Sequence, residues 1–216
     1  MLSATDIVNL QDRETRAGHQ AAAEAADPGI VDLTPQTEPV SAWLGLVRRQ
    51  HRANFDLWHI EDEARAPGAT DAELAEVKRR VDRANQLRND LVEELDRALL
   101  AWLEPRGLPK PAAALNSESP GLMIDRLSIL SLKIYHTREE AERVDAPEGH
   151  AARNLDRLAI LEEQRADLAL CLDALWRETL AGTRRFKLYR QLKMYNDPLL
   201  NPAIYRNPAH ANLAGK

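Results

Sequence analysis

A chain of 216 residues with 44% apolar side chains is long enough to bury one core of ordinary size. Its net charge of −5 argues against a general nucleic-acid binder, and its single cysteine, Cys171, excludes an internal disulfide or a cysteine-based metal cluster. Aromatic residues are only 5%, so aliphatic side chains must fill the core, while 29% charged residues of mixed sign and sparse glycine favour helices.

The opening stretch, MLSATDIVNLQDRETR, lacks the basic start and apolar run of a secretory signal. No apolar run approaches the roughly 18 residues that span a bilayer. The expectation is a cytoplasmic protein without membrane contact. Residues 1–36 are read as a loosely attached N-terminal arm with a short helix near 4–25, ended by the turn Asp27-Pro28-Gly29. Residues 37–216 are read as a single helical domain. Its first long helix follows Thr37 as N-cap, with Glu38 and Pro39 in the first turn, and stops at Pro67-Gly68. The second opens on Thr70 and Glu73, three apart as in a capping box, and runs to Glu104 before Pro105. The third starts at Ser119-Pro120 and ends near Val144. The fourth is capped by Asp145 and stops at Gly182. A short fifth helix is expected over Arg184–Tyr195. An extended arm follows, in which the apolar residues of NDPLLNPAIY imply order over 196–208. Four long helices with short loops pack most simply as an antiparallel all-α bundle.

On the first long helix one stripe reads Val40, Leu44, Val47, His51, Asn54, Trp58, Glu61, Arg65. It begins as core and turns polar without leaving its line. On the second helix Arg88 interrupts the apolar stripe, with Asn85 and Asn89 beside it; on the third, Asp125, Arg126, Lys133 and His136 flank the core face. Unpartnered polar groups cost roughly 1–3 kcal/mol each to bury. They must therefore meet one another, water or a ligand. Asparagines are mediocre helix formers that charge pairing does not explain, and they favour a pocket lined by His51, Asn54, Trp58, Glu61, Asn85, Asn89, Asp125 and Arg126. There His51 or Glu61 would be the acid–base group and Arg126 the anion clamp. The basic segment TRRFKLYRQLKMY adds Arg190 and Lys193 as anion-binding candidates.

No metal site is composed by spacing. His51 and His59 point about 80° apart around their helix, and His136-x-x-Glu139 reverses the Glu-x-x-His order of bundle di-iron proteins. A divalent metal stays a minor alternative. Glu73-x-x-Glu76 and Glu93-x-x-Asp96 are spaced like magnesium-binding acid pairs, but both fall on one helix. Cys171 lies on the leucine face of the fourth helix and reads as core filler. Ser128 has Asp125 one turn behind it and no histidine placed for it by spacing.

The strings NFDLWHIEDEAR, VDRANQLRNDLVEELD, LNSESPGLMIDRLSILSLKIYH, EQRADLALCLDAL and FKLYRQLKMYNDPLLNP resemble the bacterial family catalogued as domain of unknown function four-two-five-four, over about residues 38–205. Relatives carry a Trp-His near the N-terminus where this chain has Gly18-His19. The resemblance implies no established activity; relatives encoded near glycosyltransferases point toward envelope glycan metabolism. The expected function is binding, with or without turnover, of a small phosphorylated or sugar-nucleotide metabolite by a homodimer. The alternative is a non-catalytic adaptor that self-associates or binds a glycosyltransferase.

Overall fold

The computed structural model describes residues 3–24, 39–192 and 199–200. Among them run α1 (Ala4–Glu24), α2 (Pro39–Glu63), α3 (Asp71–Leu103), α4 (Pro120–Glu142) and α5 (His150–Leu180). Two short strands, β1 (Ala114–Leu115) and β2 (Arg184–Arg185), pair in parallel, with Ala114 opposite Arg184. The fold class is all-α. No helix among the described residues is long and apolar enough to cross a membrane.

Local chemistry explains most of the boundaries. Thr70 and Glu73 close the capping box at the start of α3: the Thr70 hydroxyl accepts from Glu73 N, and the Glu73 carboxylate accepts from Thr70 N at 2.8 Å. Ser119 caps α4, with Pro120 in the first turn where no amide hydrogen is needed. α5 begins later than Asp145 suggests, because the chain first turns through Gly149 at φ 74°, a conformation glycine adopts without strain.

The core is aliphatic: Ile7 and Leu10 of α1 pack with Val47, Leu95, Ile124, Leu127 and Leu172 from the other four helices. The N-terminal helix is therefore part of the core, not a loosely attached arm. Its Ala4, Ile7, Leu10, Gln11 and Thr15 recur at spacings of three and four, and all are buried. Asp173 of α5 accepts from Ala4 N at 2.8 Å, and Arg165 holds Asp12 at the same distance. Two further expectations fail. Arg184–Leu192 is not a helix; β2 takes its first two residues and the rest is irregular, because Arg185 Nε is drawn to Ala113 O and Phe186 inserts at 2% exposure. Cys171 is exposed, not core. The expected arm 196–208 lies outside the described residues except Leu199 and Leu200, which are exposed in a turn.

Helix directions follow from the pairings. α2 and α3 run oppositely, since Arg49 meets Glu94 while Glu63 meets Arg80. α1, α2 and α4 share a direction: Thr15 meets His51, which meets Ser128, and further along His19 lies against His59 and His136. Near the start of α1 a cavity of about 590 Å³ opens between all five helices, walled by Trp43, Trp102 and Trp176 among aliphatic side chains.

Candidate metal centre

The polar seam of α2 is closed by protein groups. Thr15 Oγ1 donates to Gln11 O, so it accepts from His51 Nε2 at 3.0 Å. His51 Nδ1 then accepts from Ser128 Oγ at 2.8 Å, and Ser128 in turn accepts from Asn54 Nδ2 at 2.9 Å. Asp125 accepts from Gln50, Asn54 and Arg88, the last as a two-pronged pair. His51 is 1% exposed, and burial pushes its pKa down to about 4, so the imidazole is neutral. Ser128 does have a histidine partner after all, but at 0% exposure it can meet no substrate.

Of the other residues expected to share this pocket, Asn85 and Asn89 are half-buried on α3. Glu61 turns to Arg65 in the turn that follows its helix. Arg126 points away from Asp125, is about half exposed, and pairs with Glu118 at 2.7 Å. The partner of Asp125 is Arg88, not Arg126, because α3 passes on the side of α4 that Asp125 faces. Arg190 is exposed, Arg184 is engaged by Glu178, and Lys193 lies outside the described residues, so the basic segment forms no convergent clamp among them.

A different set of side chains converges. His19 of α1, His59 of α2 and His136 of α4 each offer a ring nitrogen, and the three nitrogens lie within 4.8 Å of one another. Any triangle with edges of 4.8 Å or less has a point within about 2.8 Å of all three corners, so shifts of under about 1 Å reach the 2.0–2.1 Å of a zinc–imidazole bond. Two tautomers are set from outside. His59 Nδ1 donates to Phe55 O at 2.8 Å and His136 Nδ1 to Glu139 at 3.0 Å, leaving Nε2 of each with a free lone pair. His19 Nε2 and His136 Nε2 are shielded from solvent with no hydrogen-bond partner.

Aromatic packing fixes the rings. His19 stacks on Tyr135 at 4.4 Å and 8°, and Trp58 stacks on His136 at 4.9 Å and 7°. Phe55 fills the gap between His19 and His59, at 5.0 and 4.3 Å. Burial lowers the pKa of His19, and the neighbouring His136 and His59 lower it further, which keeps it in the neutral form a metal needs. The three histidines sit in the last two turns of their helices.

Spacing within one helix does not reveal this cluster, because its three imidazoles come one from each of three helices that share a direction. A signal was present in Gly18-His19. A glycine inside a helix costs about 1 kcal/mol against alanine, and here a Cβ would lie 2.7 Å from the Phe55 ring. Gly18 is what lets α1 approach α2 beside His19.

Neither a curated protein nor a solved structure matches the chain. Residues 44–188 match the family described as Protein of unknown function (DUF4254).

Proposed function

The chain belongs to the DUF4254 family, whose description names no activity, and from the geometry of this member we propose that it binds one divalent transition metal between His19, His59 and His136 and presents it to a small anionic metabolite. The observation that carries this reading is the convergence of three imidazoles from three helices, two of them with buried, unpartnered Nε2 atoms. An all-nitrogen set suits zinc, cobalt, nickel or copper and disfavours the hard cations magnesium and calcium. Three protein ligands leave a coordination position open, as catalytic zinc sites do and closed structural sites do not. A metal held this way supplies Lewis acidity toward a carbonyl or phosphoryl oxygen. The chain contributes ligand orientation from Phe55 O and Glu139 and aromatic walls from Trp58 and Tyr135.

The test is metal binding by the full chain after chelator treatment and desalting, read by calorimetry with Zn²⁺ and by the visible spectrum with Co²⁺. One equivalent should bind with an affinity that survives gel filtration. His19→Ala and His136→Ala should each lose it while remaining folded by circular dichroism. Absence of stoichiometric binding to the wild type, or full binding by both variants, overturns the reading.

A further inference from the structure

Glu139 is the group that ties His136 into position. Its carboxylate accepts from His136 Nδ1 at 3.0 Å. Its charge also bears on Tyr135, whose pKa rises chiefly through burial and further through Glu139. The Tyr135 ring in turn lies flat on His19 at 4.4 Å. One exposed side chain on α4 thus reaches His136 directly and Tyr135 through its charge. The geometry suits this double role: Glu139 follows Tyr135 by four residues and His136 by three, the two spacings at which helical side chains meet.

We infer that Glu139 is a positioning residue for the metal centre: it holds His136 as the Nδ1-protonated tautomer with Nε2 aimed inward and raises the basicity of that nitrogen. This inference rests on the metal-binding reading above. A purely structural role fits the surroundings poorly. The Glu139 side chain is 51% exposed, and its link to His136 is a surface contact between residues three apart on one helix. Such pairs contribute little to stability. The adjacent Glu140 contacts a histidine outside the cluster, His150 at the start of α5, at 2.8 Å and also pairs with Arg143; it serves as a control for loss of a carboxylate from this part of α4.

The experiment compares Zn²⁺ affinity, by competition with a chromophoric chelator, for the wild type, Glu139→Gln, Glu139→Ala and Glu140→Gln. Removal of an outer carboxylate on a metal-bound histidine typically weakens binding about 10–100-fold. Glu139→Ala should fall in that range, and Glu139→Gln, which keeps an acceptor for Nδ1 but not the charge, should recover part of the loss. Glu140→Gln should match the wild type. The melting temperatures of the metal-free proteins should agree among all four. If the wild type binds Zn²⁺ and Glu139→Ala binds it as tightly, Glu139 does not position the site although the site exists. If the wild type binds none, the parent reading has failed instead. If Glu139→Ala loses affinity only in step with a lowered metal-free melting temperature, the role is structural and the inference is overturned.

Discussion

Gly18→Ala is the most sensitive probe of how closely α1 must approach α2. In an isolated helix the change would stabilise by about 1 kcal/mol, because glycine loses more backbone freedom than alanine. Here the added Cβ would lie 2.7 Å from Phe55 Cζ and 2.8 Å from Cε2. Carbon atoms rest at about 3.5–4.0 Å, so helix or ring must retreat by about 1 Å. Phe55 is 7% exposed and wedged between His19 and His59, and it cannot swing aside without moving one of them. Overpacking of this kind costs about 1–3 kcal/mol, which offsets the propensity gain and leaves the metal-free melting temperature near or modestly below that of the wild type. The site suffers more, because a triangle with edges already up to 4.8 Å is asked to widen. Zn²⁺ affinity should drop by at least about 10-fold, the scale seen when ligand orientation is disturbed. Isothermal titration with Zn²⁺, beside thermal melts of the chelated protein, reads both quantities. A Gly18→Ala variant that is more stable than the wild type and binds Zn²⁺ equally well would refute the close-approach argument.

Other expectations follow from the seam and the core. Arg88→Ala leaves Asp125 buried without its cation and should cost about 3–5 kcal/mol in urea unfolding, whereas Arg126→Ala should cost under about 1 kcal/mol because its pair with Glu118 is exposed; equal losses would contradict the placement of Asp125. The pH dependence of stability has two opposed sources. His51 binds its proton at about 4 in the folded chain and 6.5 in the unfolded one, so stability falls as pH drops through that window. Asp96, whose carboxyl burial raises from 3.8 to about 6, holds a proton more strongly when folded, so stability falls as pH rises through its window. The two slopes cancel over much of pH 4 to 6. Asp96→Asn should therefore lose stability more steeply than the wild type on acidification from pH 6.5, and a parallel pair of melting curves would disprove the account. Trp58 is the one tryptophan stacked on a histidine of the cluster, while the other three line the far cavity. Cu²⁺ should quench only a minor part of the emission, and in Trp58→Phe should quench none of that part.

The helices were legible because their signals are local. Thr70 with Glu73, Ser119 with Pro120 and Gly182 all act within one turn, and the structure uses each as its spacing implies. The stretch after Gly182 was misread because its fate is decided by contacts far away in sequence, with Ala113 and Glu93. The polar stripe on α2 was correctly seen as needing partners, but helix periodicity says nothing of which neighbour faces it. That is why periodicity offers Arg126 as the cation of the seam where the structure has Arg88. The histidine cluster is hidden in the sequence because each helix supplies a single imidazole, and no local pattern joins three residues 40 and 77 positions apart, as His59 is from His19 and His136 from His59.

The family match spans residues 44–188, so it includes His59 and His136 and leaves out all of α1 with His19. The centre therefore straddles a boundary: two imidazoles belong to the matched body, and the third arrives on a helix that must dock. In the proposed metal-bound state, metal binding and docking of α1 would be linked equilibria, each strengthening the other by the same factor. Because α1 is tethered to α2, its histidine is present at a high effective concentration, and closing the third bond is an intramolecular step. Without metal the helix is held by Ile7, Leu10, the pairs to α5 and the bonds of Gln11, Glu14 and Thr15 to α4 and α2; in the proposed metal-bound state the ion would add a cross-link toward its other end. Occupancy by metal would thus be read out mechanically, as the tightness with which the first helix of the chain is held.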